Sequence, residues 1–500
     1  MKKLIFILLT LPFLLASCTQ VETPAPETTA AVAETTLPEE TTEPIPEELS
    51  ISIAGADISE YIIIHNGSKA SSEMAKELRK IIKDALGCTL QVKTHTAKET
   101  EREILVGKTN RAESAEVRAS FARPNVYYDV RVVGEKLVVM GEGRSTLEKL
   151  TEELTAYFSA LKKAPTVLEG SIISGDIIAD ADKNGVNMIP RAEGTDLRVF
   201  HWNMAAPYLD PNVTTPPVVY TDNVTRGEDI ADMILRFMPD IITTNEFYAS
   251  HNGNTVFFDA VMNELSEYYV CLDSPYDKDK PEAGADAIKG KTINSNIIYR
   301  KDIGLEVISS AWRYSTQKTN KSSANPMGFI YYHGSHTAVF SYKDQKFILS
   351  TAHYADSRSS NQWAREQLAA VADAQSAYAS PLPVILTGDM YTSFNSSSSN
   401  SGYNYLVANG YLDAQHKAIV NANRSTSYGT FHKIGERETN RISEDFVWYT
   451  KEMQALCFKV LSNKISDDAS DHYPVMAEQS PYWLGIGAVR ESRRERGYSL

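Results

Sequence analysis

The chain has 500 residues, 42% of them hydrophobic and 23% charged, which are the proportions of an ordinary globular protein at a length that exceeds one core. Its formal net charge is -14, but residues 21–50 alone hold eight Glu and no Lys or Arg, so the remainder is only mildly acidic. No long basic run suggests a dedicated polyanion-binding face, and two folded domains with unfolded extras are predicted.

At the N-terminus, Lys2-Lys3 precedes an apolar run from Leu4 to Leu15, and Leu15-Ala16-Ser17-Cys18 follows it. A short charged segment, an apolar core and a small-residue site are the layout of an export signal. Twelve mostly apolar residues are too few to span a bilayer comfortably. The tetrapeptide resembles a bacterial lipobox. That implies a signal peptide over 1–18, lipidation of the Cys18 thiol, and a protein held by its lipid on the extracytoplasmic side of the cell membrane. Residues 19–49 are rich in Thr, Pro and Glu without an aromatic residue, a composition that cannot bury enough surface to fold and reads as a tether. Cys88, Cys271 and Cys457 fit no zinc spacing. They are read as buried free thiols, and a Cys271–Cys457 bridge cannot be deduced.

Residues 50–170 read as a small α/β domain. Ser71 to Leu86 is predicted to be a helix with Met74, Leu78, Ile81 and Ile82 on one face, stopped by Gly87. Ile104 to Val106 is a strand, and Tyr128 to Val133 pairs through Gly134-Glu135 with Lys136 to Met140 as a hairpin. Gly141-Glu142-Gly143 reads as a turn, and Ser145 to Glu148 as a capping box opening the next helix. The run "EILVGKTNRAES" with that hairpin looks like the small α/β domain preceding the catalytic domain of some extracellular glycoside hydrolases. No chemistry is predicted here. Residues 171–196 are taken as a connector.

From Leu197 the strands end in polar residues. Leu197 to Met204 presents Asn203. A helix from Arg226 to Phe237 carries Ile230, Met233, Ile234 and Phe237 on one face, and the strand after Pro239-Asp240 leads to Asn245-Glu246. A carboxylate leaving an apolar strand is costly to bury unpaired, so a metal or base partner is expected. "SNIIYRKDIG" ends in Arg300, which is either solvated or in reach of a phosphate. "FILSTAHYAD" presents His353, a helix follows from Asn361 to Tyr378, and "PVILTGD" breaks at Gly388 to present Asp389. Asp445 comes later, and Asp471-His472 stands at the entry to a last apolar strand. A carboxylate can hold a hard cation, and an imidazole titrates near neutrality, so such a pair suits metal-assisted acid–base chemistry.

The order Asn, "PDIITTNE", "HYAD", "PVILTGD", a later Asp-Phe and "SDHYPV" closely resembles the endonuclease/exonuclease/phosphatase superfamily over residues 197–479. The resemblance implies a four-layer α/β sandwich, two packed β-sheets flanked by helices, here preceded by the small α/β domain. It implies Glu246 as the main Mg²⁺ ligand, Mn²⁺ being an alternative ion, with Asn203 and Asp471 close to the metal. His353 would contact the phosphate or protonate the leaving oxygen. His472, oriented by Asp445, would stabilise phosphoryl oxygens or take a proton from water, and Asp389 would align that water. The reaction implied is in-line hydrolysis of a phosphate ester by a monomer, with nucleic acid among the candidate substrates.

Two departures stand out. The family places Asn two residues after its Gly-Asp motif, whereas this chain has Tyr391, which would then face substrate. Ser443-Glu444 separates Arg441-Ile442 from Asp445, so that Glu444 is an alternative partner for His472. The competing reading is a binding lipoprotein that kept the fold, lost turnover and takes a carbohydrate or cell-wall ligand. Residues 480–500 read as a loosely docked tail.

Overall fold

A computed structural model of the chain describes residues 49–161, 164–178, 191–205, 222–247, 255–272, 295–318, 332–353, 361–390, 401–421, 429–431 and 443–481. Its N-terminal part holds a six-stranded sheet drawn from segments between Ile62 and Asp176. Helices Lys69–Leu86 and Arg144–Ala160 cover one face, and Ala112–Ala119 packs on the other. Helix Lys69–Leu86 buries Met74, Leu78 and Ile82, begins where the Ser68 side chain accepts from Ser71 N, and ends at Gly87 with φ 72°, a left-handed cap that glycine adopts without strain. Ser171–Asp176, expected as connector, is instead an edge strand antiparallel to Tyr127–Val133. The capping box also differs from expectation. Gly143 N donates to Thr146 Oγ1 at 3.2 Å, while Ser145 is used elsewhere.

The strands of the following region are numbered from Leu197. They are β1 (Leu197–Asn203), β2 (Ile241–Asn245), β3 (Tyr269–Cys271), β4 (Ser295–Arg300), β5 (Glu306–Lys318), β6 (Tyr332–Tyr342), β7 (Gln345–His353), β8 (Val384–Asp389), β9 (Leu412–Asp413), β10 (Val420–Asn421), β11 (Asp445–Tyr449), β12 (Met453–Val460) and β13 (Val475–Pro481). One sheet has the order β3-β4-β2-β1-β13-β12-β10 and the other β5-β6-β7-β8-β11-β9. Helices α1 (Asn223–Phe237) and α2 (Val256–Leu265) cover the first, and α3 (Gln362–Gln375) and α4 (Gly402–Ala408) the second.

Strand β1 shows why the layers stack this way. Leu197 and Val199 enter the core between the sheets, while Phe200 and Trp202 enter the core under α1 and α2. Period-two alternation with both faces apolar forces a layer onto each side, and each large side chain so buried contributes about 1.5–3 kcal/mol. The result is the four-layer sandwich.

Helix α1 also receives the N-terminal part. Glu228 accepts from Lys69 N at 2.8 Å and Ala70 N at 3.1 Å. One turn on, Asp232 accepts from Ser145 N at 3.2 Å, Ser145 Oγ at 2.8 Å and Asn125 Nδ2 at 2.8 Å. Two carboxylates thus sit at two helix N-termini, where unpaired N–H groups and the helix dipole favour negative charge. Gly143 is needed for that approach, because a Cβ there would lie 1.9 Å from Asp232 Oδ1. Glu48–Leu500 forms one compact unit. The three cysteines are free thiols, but only Cys457 is buried, Cys88 and Cys271 being half-buried.

Candidate active site

Register alone collects most of the candidates at one end of the two sheets. Parallel pairing of β7 with β8 sets His353 beside Asp389, and antiparallel pairing of β8 with β11 sets Asp389 beside Asp445. In the other sheet, Asn203 pairs with Asn245 across β1 and β2. Gly388 makes the first pairing feasible, since its φ is 152° and a Cβ would meet the Ala352 carbonyl oxygen at 2.1 Å.

Asp389 is the centre of the cluster and fully buried. Its Oδ2 accepts from Asn203 Nδ2 at 2.9 Å, and lies 3.6 Å from His353 Nε2 and 3.8 Å from His472 Nε2. Its backbone N donates to Asn245 Oδ1 at 2.7 Å. His472 Nδ1 meets Asp445 Oδ2 at 2.7 Å, so Asp445 rather than Glu444 takes the ring. Glu246 reaches the same place from β2. Its Oε1 is 3.4 Å from Asn203 Nδ2 and 4.0 Å from His353 Nε2. The backbone of Glu246 has φ 55°, a conformation costing a non-glycine residue roughly 1–2 kcal/mol and one that clusters at functional sites. Asp471 stands at the rim with its side chain 39% exposed, and its Oδ1 is 4.0 Å from His472 Nε2.

The segment before β13 is fixed by hydrogen bonds that no single motif reveals. Ser470 Oγ donates to Asn203 O at 2.7 Å, His472 N donates to Ser470 Oγ at 3.0 Å, and Trp202 Nε1 donates to His472 O at 2.7 Å. Thr430 holds the other side. Its Oγ1 accepts from Asp445 N at 3.0 Å, and its carbonyl accepts from Tyr473 N at 2.7 Å. The Phe431 ring meets the His472 ring edge-on, with centroids 5.2 Å apart.

Burial and mutual charge then separate the titrations. Burial works against a charged His472 ring, but Asp445 and Asp389 outweigh it and hold its pKa well above the ordinary imidazole value. For Asp445, burial is likewise outweighed, here by His472 and His201, and its carboxyl stays ionised far below the usual range. Asp389 goes the other way. Burial, helped by Asp445 and Glu444, raises it well above an ordinary carboxyl despite His472 and Asn203. His353 is pushed down to about 3 by burial and by the neighbouring His472 and His201 rings, so it is neutral at pH 7. A low-dielectric cluster therefore holds a charged imidazole, a neutral one and a carboxyl of raised basicity side by side.

Arg300 does not join them. β4 runs antiparallel to β2, so Ser295 is at the Asn245 end and Arg300 pairs across the opposite end of the sheet. Its guanidinium binds Asp302 at 2.8 and 2.9 Å and approaches Asp240 at 3.4 Å. There it lines a cleft with Arg118, Arg123 and Tyr268. Tyr391 and Cys18 lie outside the described residues. Sequence reading missed His201, Asn245 as the holder of Asp389, and Thr430. The available signal for the first was its place two residues before Asn203, on the same face of one strand.

No family model and no curated protein matches the chain. Solved structures do. An endonuclease/exonuclease/phosphatase from Bacteroides vulgatus is 17% identical, with TM-score 0.41, over 57% of this chain and 98% of that one. A mannosyl-6-phosphatase from Bacteroides thetaiotaomicron VPI-5482 is 18% identical, with TM-score 0.39, over 57% of this chain and 99% of that one. The human Nocturnin catalytic domain with bound sulfate is 17% identical, with TM-score 0.37, over 57% of this chain and 94% of that one. One of these three carries the name of the family that the motifs resemble.

Among the described residues, no group of three or more His, Cys, Asp or Glu is spaced to hold a metal. The Glu246 carboxylate and, at the rim, the Asp471 carboxylate are hard oxygen donors; the Asn203 amide lies buried beside them, its nitrogen towards Glu246 and Asp389 and its oxygen accepting from Ala205 N at 3.0 Å. That set fits a cation which keeps most of its waters and takes only one or two carboxylates, as Mg²⁺ does.

Proposed function

We propose that this chain is a hydrolase of phosphate esters, either phosphodiesters or phosphomonoesters, held by a lipid on Cys18 to the outer face of the cell membrane and acting as a monomer. The observation that carries the reading is the position of Asp389 Oδ2, flanked by His353 Nε2 at 3.6 Å and His472 Nε2 at 3.8 Å. A buried carboxylate between two imidazoles is placed to orient a water and, in its ionised form, to take its proton.

Asp389, steadied by Asn203 and Asn245, orients the attacking water and accepts its proton. His472, kept charged by Asp445, donates to the phosphoryl oxygens as their charge grows. His353, neutral and buried, donates through one ring nitrogen to the phosphate or the leaving oxygen. Glu246 would hold Mg²⁺ or Mn²⁺, with Asn203 and Asp471 close to the ion. The ion, when bound, supplies Lewis-acid neutralisation of the phosphate charge. Preorganised donors in a water-poor site act where charge develops, which is the largest lever on such a reaction. Nucleic acid is a weaker candidate substrate than a small ester or lipid head group, because a mildly acidic chain gains little from the phosphate backbone.

The test is hydrolysis of p-nitrophenyl phosphate, bis-(p-nitrophenyl) phosphate and plasmid DNA with Mg²⁺, Mn²⁺ or EDTA, by wild type and His472→Ala. Metal-dependent turnover lost in the variant supports the reading. Equal rates in wild type and variant on every substrate would sink it and favour a binding lipoprotein, for which Tyr391 in place of the family's Asn already speaks.

A further inference from the structure

We infer that His201 is a positioning residue, holding from behind the carboxylate that orients His472; this rests on the phosphoesterase reading of the site.

His201 follows Leu197 and Val199 on the inter-sheet face of β1, and it is fully buried. At such a position an aliphatic side chain packs at no polar cost, whereas an imidazole must find partners. The plain alternative is a core histidine satisfied by its neighbour. Its Nδ1 does meet Thr243 Oγ1 at 3.0 Å, across the β1–β2 register. The other nitrogen is what distinguishes it. Nε2 lies 3.3 Å from Asp445 Oδ1, the oxygen that His472 does not use. Among the described residues, neither Nε2 nor Oδ1 completes a hydrogen bond, their own 3.3 Å approach included. Two buried polar atoms, each without another partner, face each other across the gap between the two sheets.

The Thr243 hydroxyl has one proton for two acceptors, Phe200 O at 3.4 Å and His201 Nδ1 at 3.0 Å, and the shorter contact is taken as made. When the Thr243 hydroxyl donates to Nδ1, the neutral ring carries its proton on Nε2 and directs it at Oδ1. Asp445 is then gripped at both oxygens, by His201 from the seven-stranded sheet and by His472 from the segment before β13. A carboxylate held at one oxygen can swing about its Cβ–Cγ bond. Held at two, it fixes the plane of the His472 ring, and with it the 3.8 Å approach of Nε2 to Asp389. Partners one layer behind a reacting group orient it in this way.

His201→Leu keeps the volume and removes the donor; His201→Gln restores an N–H of similar reach. For phosphate-ester hydrolysis, we expect His201→Leu to lower kcat by about 10–100-fold with KM little changed, and His201→Gln to recover most of that loss. Combined with Asp445→Ala, His201→Leu should add nothing further, since the two act as one unit. Independently of turnover, ¹⁵N-histidine spectra of the full folded chain report the His472 Nδ1–H proton, assigned by its loss in His472→Gln. It should be slowly exchanging in wild type and His201→Gln, and exchange faster in His201→Leu. Unchanged exchange in His201→Leu overturns the inference, as does a His201→Gln enzyme no better than His201→Leu. If wild type turns over no phosphate ester, the reading of the site fails while the proton exchange still decides the role of His201.

Discussion

Two of the buried polar networks among the described residues are built on opposite terms. Along α1, Glu228 and Asp232 are saturated. Backbone N–H groups of two helices, Ser145 and Asn125 fill them, and Arg236 adds a contact to Asp232 at 3.1 Å. At the sheet ends, Asp389 touches one amide closely and two imidazoles at 3.6 and 3.8 Å. The first network has little capacity left and its worth is cohesion. The second brings two imidazoles to one buried carboxyl at 3.6 and 3.8 Å, an arrangement of titrating groups that suits chemistry more than cohesion. Buried charge alone therefore does not mark a site.

The comparison predicts that substitutions divide into those that remove turnover and those that loosen the fold. The largest effect is expected for His472→Ala, a loss of about 10²–10⁴-fold in kcat together with a lower unfolding midpoint as Asp445 loses its buried partner, measured by steady-state kinetics beside urea titration. Gly388→Ala should blur the division further. Its Cβ meets the Ala352 carbonyl oxygen at 2.1 Å, so a loss of about 1–3 kcal/mol should accompany a fall in kcat as Asp389 shifts from His353. Asp232→Ala should act on the fold alone. Leaving Asn125, Arg236 and a helix N-terminus without their acceptor should cost about 3 kcal/mol, read as a lower urea midpoint at constant slope, while kcat of the folded protein stays at the wild-type value. A fall in kcat there would erase the distinction between the two networks.

A smaller effect concerns pH. Asp222 caps α1 and pairs with Lys69. Burial favours its neutral form, but Lys69 and Thr225 prevail and lower its pKa to about 2. With the folded value below the unfolded one, the stabilisation is present above about pH 4 and is lost as pH falls towards 2. The pair is over a third exposed on both sides, so the loss should stay below about 1 kcal/mol. Urea midpoints at pH 5 and pH 3 should differ less in Asp222→Asn than in wild type. The least effect is expected for Arg300→Ala, whose kcat should equal wild type because the residue lies at the other end of its sheet; reduced turnover would return it to the site.

Local rules made much of this readable from the chain. Helix periodicity with Gly87 as stop, period-two apolar strands and polar residues at their ends depend on neighbours a few positions away, and so survive in one dimension. They delivered the individual helices and strands, while the four-layer sandwich and the meeting of His353, Asp389, Asp445 and His472 followed from the order of the motifs and the family it resembles. Strand direction and pairing do not survive so well. Arg300 and His353 look alike as polar residues at strand ends, yet the antiparallel course of β4 sends one away while the parallel pairing of β7 with β8 brings the other in. His201 looks like a core residue until a strand of the opposite sheet places Asp445 across from it, and Ser145 looks like a cap until Asp232 arrives from α1. Those contacts join residues tens to hundreds of positions apart. Only the packing of layers, driven by apolar faces that carry no record of their partners, decided them.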